Sequence, residues 1–424
     1  MNKTTILLLL TVFLLSACKN KTRKEPVEST KKFDNVDIDS MSISENEINY
    51  VYNEVVEELT EASASNNNIV SGNWGIFRGN TSLSGYTKVS LPDNPKLLWT
   101  FKSDSYTKSS PLVYNQVAYW SNRRGRIFGI NNKGEQVFDY SFETAVDATP
   151  MIHDSVLYIG RIDGRLSAVS LTKQETLWNF EAQGQISASP NRIGFEGRKA
   201  IVVGSYDNYL YCIDSKNGKE ISRFESGYYI NGAVALSNNF IVYGGCDGWI
   251  RVVDCISGIQ TDSLEVETYI PASPAIYNDW CYIADHSGNI YEIKLDRGKI
   301  ASHKKIIESQ DKNSAFVSVP AVSDRMVYVV SSDRNIYAIN RKDGSIVWKH
   351  LLKGETGESS PVICNDKLLV CTRSGIVSIH DAKTGNLLWE YDTGEQIIAS
   401  PAVINGCFYI LTFKGTLFCF GKNT

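Results

Sequence analysis

Self-similarity constrains this chain more than any other feature. The stretch HDAKTGNLLWEYDTGEQIIASP, residues 380–401, restates INRKDGSIVWKHLLKGETGESSP about forty residues upstream, in the same order of loop, glycine, tryptophan, glycine and Ser-Pro. Aligning on the Ser-Pro or its equivalent gives Pro111, Pro150, Pro190, a non-proline equivalent near Ala233, then Pro274, Pro320, Pro361 and Pro401, at steps of 39 to 46 residues. Between these marks lie VAYWSNRRGRIFGI, VLYIGRIDGRLSAV, AIVVGSYDNYLYCI, FIVYGGCDGWIRVV, CYIADHSGNIYEI, MVYVVSSDRNIYAI, KLLVCTRSGIVSI and CFYILTFKGTLFCF. Each is two β-branched or aromatic runs around a tight turn, the sequence form of a β-hairpin.

One further strand near the Ser-Pro and one near the tryptophan bring each unit to four short strands, the size of a β-propeller blade. A blade cannot bury its apolar faces alone, so copies must stack. Seven of the eleven prolines occupy the repeat's Ser-Pro position. Proline cannot donate to a ladder and is confined to strand starts and edges, which makes this strand the innermost one, beside the central channel. The last repeat ends at LFCFGKNT without an outer strand, while KLLWTFK at 96–102 is an outer strand with no hairpin before it. The two complete one blade and remove the last open edges. The expected fold is all-β: an eight-bladed propeller of four-stranded antiparallel blades, closed by an N-terminal outer strand.

The pattern small-x-Asp/Asn-x-x-x-Gly-x-x-x-Trp resembles the tryptophan-docking motif of the pyrroloquinoline-quinone (PQQ)-like, quinoprotein-type repeat. Ala338, Asn340, Gly344 and Trp348 match it fully, and Asp381, Gly385 and Trp389 match its core. Elsewhere it decays: Trp178 has Gln174 in place of the glycine, Phe138 replaces the tryptophan, and the repeats with Asp214/Gly218 and Asp254/Gly258 carry Ser222 and Asp262 there. The opening NWGIFRGN, with Trp74, Phe77, Arg78 and Gly79, is similar to the lead-in of such domains.

The first residues, MNKTTILLLLTVFLLSACKN, join a lysine to an apolar run of about twelve residues and then Leu15-Ser16-Ala17-Cys18. A run that short is a signal h-region and not a membrane span. Its end resembles the bacterial lipobox, which implies cleavage before Cys18 and lipid attachment, including palmitate, at that cysteine. Residues 19–32 hold six basic and two acidic side chains and read as a solvated tether; residues 33–60 hold eight carboxylates and no Lys or Arg. Within the acidic run, Ser44 and Glu47 form a capping box, Ile43 and Ile48 a hydrophobic staple, and Ile48, Val51, Tyr52, Val55 and Leu59 an apolar stripe. The expected organisation is a signal peptide over 1–17, a lipidated cysteine, tether and amphipathic helix (about 45–60) over 18–73, and the propeller over 74–424.

A net charge of -4 over 424 residues gives no bias toward nucleic acid or anionic membrane. Eight cysteines follow Cys18, an even number in a chain expected to be exported. Cys212 and Cys419 nevertheless occupy the small position filled by Ala338, and Cys246/Cys255 and Cys364/Cys371 fall out of register for bridging, so free core thiols are expected. Catalysis finds little support. The five histidines, His153, His286, His303, His350 and His380, show no metal-ligand spacing, and no phosphate loop or nucleophile elbow occurs. Quinoprotein dehydrogenases share the repeat, but no Cys-Cys pair and no position matching their cofactor ligands is found, so neither a cofactor nor a metal is expected.

A lipid-anchored eight-bladed ring of this repeat without enzyme insertions is similar to the family of the outer-membrane assembly factor BamB. That resemblance implies a non-catalytic, monomeric scaffold in the envelope of a Gram-negative bacterium, anchored at the outer membrane, facing the periplasm and docking on the barrel assembly machinery. Two alternatives stay open: a ligand-binding or surface-exposed propeller lipoprotein, and a PQQ-dependent dehydrogenase. In an up-and-down blade the crossovers and middle hairpin turns emerge on one face. That face gathers Tyr106, Tyr228, Tyr229, Tyr269 and Phe316 from crossovers, with Arg123, Arg124, Arg161, Tyr206, Asp207, Trp249, Arg334, Arg373 and Phe413 at or beside turns. Tyr, Trp and Arg dominate interface energetics, which makes this the candidate partner-binding face. Arg123, Arg124 and Arg126 with Arg161 and Arg165 are expected to form a positive patch there.

Replacing the lipobox cysteine, Cys18→Ser, is expected to abolish acylation and release a soluble, folded propeller, because no other apolar segment is long enough to hold a bilayer. Fractionation and metabolic lipid labelling check this, and association that persists in high salt would point to a protein or helix contact instead.

Overall fold

The computed structural model describes residues 73–422 apart from 196, 267 and 309–314. Cys18, the tether and the helix expected at about 45–60 lie outside the described residues. Strands run in eight sheets of four in sequence order, the seventh sheet carrying a short fifth strand, Tyr86–Thr87, on its inner edge. Blades 1 to 7 span residues 112–141, 151–181, 191–225, 235–265, 275–307, 321–351 and 362–392. Blade 8 is made of Ala402–Ile404, Cys407–Leu411 and Thr416–Gly421, with Lys96–Lys102 antiparallel to the last. The ring therefore closes as the chain's two end strands imply, with Leu97 opposite Phe420 and Phe101 opposite Leu417.

Apolar side chains bury themselves between blades. One cluster joins Met151, Tyr158 and Leu166 of blade 2 to Ile201, Val203 and Tyr211 of blade 3; another joins Leu210 and Cys212 of blade 3 to Ile241, Tyr243 and Cys255 of blade 4. Middle strands are consequently buried on both faces, as in Val156–Gly160, while outer strands such as Glu175–Glu181 alternate with solvent.

Each inner strand begins directly after its proline, as expected, except in blade 4, where Val234, and not Ala233, holds the proline's place before Ala235–Ser237. The inner edges of blades 1 to 7 are not left open. Residues 74–87 pass along them in turn. Trp74 bridges Val113 of blade 1, and the carbonyls of Gly75, Thr81, Ser82, Ser84 and Gly85 accept the amides of Ile152, Leu236, Ile276, Val322 and Ile363, in blades 2, 4, 5, 6 and 7, at 2.6–3.0 Å. In blade 3 the Asn191 side chain reaches the same Thr81 carbonyl at 2.7 Å. The bonded amide is always the second after the proline position, the one a three-residue inner strand leaves without a neighbour. Arg78, fully buried and at φ 65°, donates to the carbonyls of Pro361 at 2.5 Å and Pro320 at 2.9 Å, tying the lead-in to blades 6 and 7. The residue before the proline adds a second belt. Val319 N donates to Ser360 Oγ, Ser360 N to Ser400 Oγ, Ser400 N to Ser110 Oγ and Ser110 N to Thr149 Oγ1, at 2.8–3.1 Å, which joins blades 6, 7, 8, 1 and 2.

The tryptophan motif works across repeats. The Trp178 indole N–H donates to the Ser215 carbonyl at 3.0 Å and its ring covers Gly218 of the next blade; Trp348 donates to Ala382 at 3.1 Å over Gly385; Trp99 donates to Asn132 at 3.0 Å over Gly134. The Gln174 in Trp178's own repeat is therefore immaterial to its dock. It matters to blade 1, whose outer strand carries Phe138 and no tryptophan to place on it. Trp389 faces blade 8, which has no such turn, and packs on Phe408 and Phe420.

Gly385 lies at φ 76°, and a Cβ there would stand 2.7 Å from the Trp348 ring; Gly394, at φ 67°, has open space instead. Gly394→Ala should cost only the left-handed backbone, roughly 1 kcal/mol. Gly385→Ala should cost roughly 3 kcal/mol, since overpacking adds to the same strain. Urea unfolding of the two variants measures the difference. Under this dock, the His380 ring nitrogens sit 3.2 Å from the Gly385 carbonyl and 2.9 Å from Ser378 Oγ, and burial pulls its pKa down to about 4 from 6.5. The unfolded chain takes up that proton as pH falls below 6.5 while the folded chain does not, so stability held above pH 6.5 declines toward pH 4. A shift of that size corresponds to roughly 3 kcal/mol. His380→Gln should flatten this acid limb, read as the urea midpoint at pH 7 against pH 4.5.

Candidate interaction face

Crossovers and middle turns do share one face. The turn amides of Arg123, Tyr206, His286, Ser332, Ser374 and Phe413 donate to the crossover carbonyls of Tyr106, Gln185, Tyr269, Ala315, Glu355 and Gln396, at 2.7–3.2 Å. Turn carboxylates fix the loops from within. Asp207 accepts the Tyr209 amide and the Tyr211 hydroxyl, Asp333 accepts the Asn335 amide and the Tyr337 hydroxyl, and Asp247 accepts the Arg251 guanidinium at both oxygens. Fully buried Asp285 accepts the Asn289 amide and side chain and the Tyr291 hydroxyl. The spacing of Asp four residues before Tyr or Arg was visible in the sequence and marks a turn anchor.

On these supports stands an aromatic arc. Tyr206, from the blade 3 turn, stacks on Tyr229 of the following crossover at 5.3 Å, and Tyr228 meets Tyr229 edge-on at 6.1 Å. Tyr269, from the next crossover, stacks on His286 of the blade 5 turn at 4.4 Å, and Trp249 opens the blade 4 strand Trp249–Asp254 between them in sequence. Burial lowers the His286 pKa and raises that of Tyr206. From sequence His286 counts only as one of five scattered histidines and not as part of this face, because nothing local to it announces the tyrosine seventeen positions upstream. Further round the ring, Tyr106 meets Phe413 at a tilt, with centroids 5.4 Å apart, while Phe316 is buried against Tyr337 and is unavailable to a partner.

The arginines behave differently from expectation: they form no unopposed positive patch. Arg123 holds both oxygens of Asp147 at 2.7 and 2.9 Å, Arg126 pairs with Asp139 and Asp104, Arg124 approaches Asp104 at 3.7 Å, and Arg165 meets Glu181 at 3.0 Å. Arg161 is buried, bonded to Asp163 and Ser167, with its guanidinium 4.6 Å over the Phe142 ring. Asp104 and Asp147 come from crossovers and Asp139 and Glu181 from outer strands, while Asp163 sits in the same turn as Arg161 and Arg165. Arg373 likewise lies 3.9 Å from Glu358. Among the described residues, no three His, Cys, Asp or Glu side chains stand close enough to hold a metal ion.

The Arg161 side chain is 9% exposed and that of Arg124 68%. Arg161→Glu sets a second carboxylate beside Asp163 and should cost roughly 3–5 kcal/mol, the scale of a broken buried pair. Arg124→Glu should leave the melting temperature almost unchanged. Thermal unfolding of both variants separates scaffold from surface.

A family model described as outer membrane protein assembly factor BamB matches residues 85–221, 163–317 and 247–424. The BamB of Shewanella oneidensis is 21% identical over 281 residues, covering 62% of this chain and 67% of that protein. Other curated BamB relatives are matched over about half their length, 58% for Moranella endobia and 48% for Legionella pneumophila. Among solved structures, BamB from Moraxella catarrhalis superimposes with a TM-score of 0.66 at 19% identity, over 78% of this chain and 98% of that one. Quinohemoprotein alcohol dehydrogenase from Comamonas testosteroni gives 0.70 at 12% identity, over 86% and 83%, a likeness of fold alone. With the family model spanning the propeller from its first strand to its last, the chain belongs to the family of the outer membrane protein assembly factor BamB, and is a propeller of PQQ-like repeats.

Proposed function

We propose that the chain is a non-catalytic scaffold, lipid-anchored through Cys18 in the envelope of a Gram-negative bacterium, and that it acts in outer-membrane protein assembly by docking a protein partner. The observation that carries this reading is the aromatic arc. Tyr206, Tyr228, Tyr229, Trp249 and Tyr269 come from the middle turns of blades 3 and 4 and the crossovers that follow them onto one face, above turns whose carboxylates Asp207 and Asp247 are bonded internally. Rigid aromatic side chains on a preorganised base lose little entropy on binding and are the residue types that anchor interfaces. The arginines of blades 1 and 2 contribute less than their number implies, because each faces a carboxylate of the same chain. Docking is thus expected to depend weakly on salt.

A second reading, a quinone-dependent dehydrogenase, is favoured only by the shared fold. One experiment addresses both. Photo-crosslinking residues placed at Tyr228 and Tyr269 in growing cells are expected to capture the barrel assembly machinery, and a control at Lys133, on the opposite face, is expected to capture none. Recovery of only a polysaccharide or an unrelated transporter sinks the assembly reading. Calcium-dependent dye reduction by protein loaded with PQQ would replace it by the enzyme.

A further inference from the structure

The joint between blades 3 and 4 lacks a tryptophan dock, and two cysteines stand in its place. In the docked joints the indole belongs to an outer-strand residue paired with a small residue on the third strand, as Trp178 is paired with Ala168 and Trp348 with Ala338. It donates to the carbonyl three residues before the glycine of the next blade, at Ser215 or Ala382. In blade 3 the outer-strand residue is Ser222 and its third-strand partner is Cys212; the carbonyl three before Gly258 belongs to Cys255. The Ser222 hydroxyl donates to that same carbonyl, so the polar half of the dock survives while the ring is gone. Into the space vacated, Cys212 reaches Cys255 across the joint, with the sulfurs 2.9 Å apart and both residues buried.

We propose that Cys212 and Cys255 form a disulfide in the mature protein, stapling blade 3 to blade 4 where the tryptophan is missing. Two sulfurs facing one another across the joint need less than an ångström of movement to reach bonding distance. The sequence led to an expectation of free core thiols, with Cys246/Cys255 and Cys364/Cys371 out of register for bridging; the pair that stands face to face across this joint is Cys212 with Cys255. Formation requires an oxidising compartment, and so rests on the exported, envelope-anchored reading above. It also requires a disulfide-bearing exchange partner. One thiolate attacks the partner's disulfide, the second resolves the mixed disulfide, and the partner leaves as a dithiol carrying the two electrons and two protons. Burial of both sulfurs places this step before the joint seals. It also shields the finished bond from reductants.

The test is a thiol map of the full chain, extracted from the membranes of its native cells under acid quench, alkylated, and digested without reductant. The expected result is a linked pair of peptides holding Cys212 and Cys255, two hydrogens lighter than their sum, which separates on reduction. In parallel, reduced and denatured chain refolded across a glutathione redox series should form the same link. Reduction should then lower the melting temperature of the native chain and leave that of a Cys212→Ala/Cys255→Ala variant where it was. Both thiols alkylated in the cell extract and in refolded protein, or a link from either to another cysteine, overturns the staple. A link in refolded protein with free thiols in the extract overturns the oxidising compartment, and with it the bond in the mature chain. The peptide map is independent of whether the double variant folds.

Discussion

The pairing of Lys96–Lys102 with Thr416–Gly421 is the contact on which the rest of the ring depends. Every apolar cluster is shared between consecutive blades, so none is complete within one. Seven stacked blades would leave two open faces and two unpaired edges. Closing the eighth blade with a strand from the other end of the domain removes both, and extends one cluster continuously through blades 7, 8 and 1, from Val362 to Phe420 and on to Trp120. Low local stability in any blade is then restrained by its neighbours on both sides.

The joints are chemically unequal within this regular frame. Three carry an indole on a left-handed glycine, one carries a serine on the equivalent carbonyl with two thiols behind it, and at the next Asp262 accepts the Ile300 amide while Thr261 donates to the Gly298 carbonyl. What each shares is a side chain from one outer strand satisfying backbone groups at the third turn of the following blade. Loss of the ring at a joint therefore removes packing without leaving the turn unsatisfied. The aromatic arc spans these same two joints, from blade 3 to blade 5, on the opposite face of the ring.

Much of this was legible because it is periodic. Hairpins recurring at steps of about forty residues gave the number of blades, proline positions gave the inner strand, and the unmatched strand at 96–102 gave the closure. What escaped was contact between distant segments that carry no common period. The motif of Trp348 looks internal to its repeat because Gly344 stands four residues before it, yet the glycine it covers is Gly385. The arginines of blade 1 looked unopposed because Asp104, Asp139 and Asp147 enter from crossovers and an adjoining strand, whereas in blade 2 the opposing Asp163 stands in the turn RIDGR itself, beside Arg161 and Arg165. Val234 in place of a proline shifted the fourth mark by one residue, since without the ring no single side chain fixes that position.

The lead-in has a bearing on when the ring can be finished. Residues 74–87 are synthesised before any blade, yet their carbonyls find partners only as Ile152, Leu236, Ile276, Val322 and Ile363 successively appear, and Lys96–Lys102 waits for the last strand of all. A chain emerging N-terminus first thus carries an unsatisfied strip of backbone through the whole of its synthesis. Contacts of such long sequence separation form late, because loop closure must precede them. The lead-in works as a completion gauge: it can be fully bonded only in a chain that has delivered seven blades in order, so a truncated or misregistered product keeps exposed backbone that quality-control proteases and holding chaperones recognise.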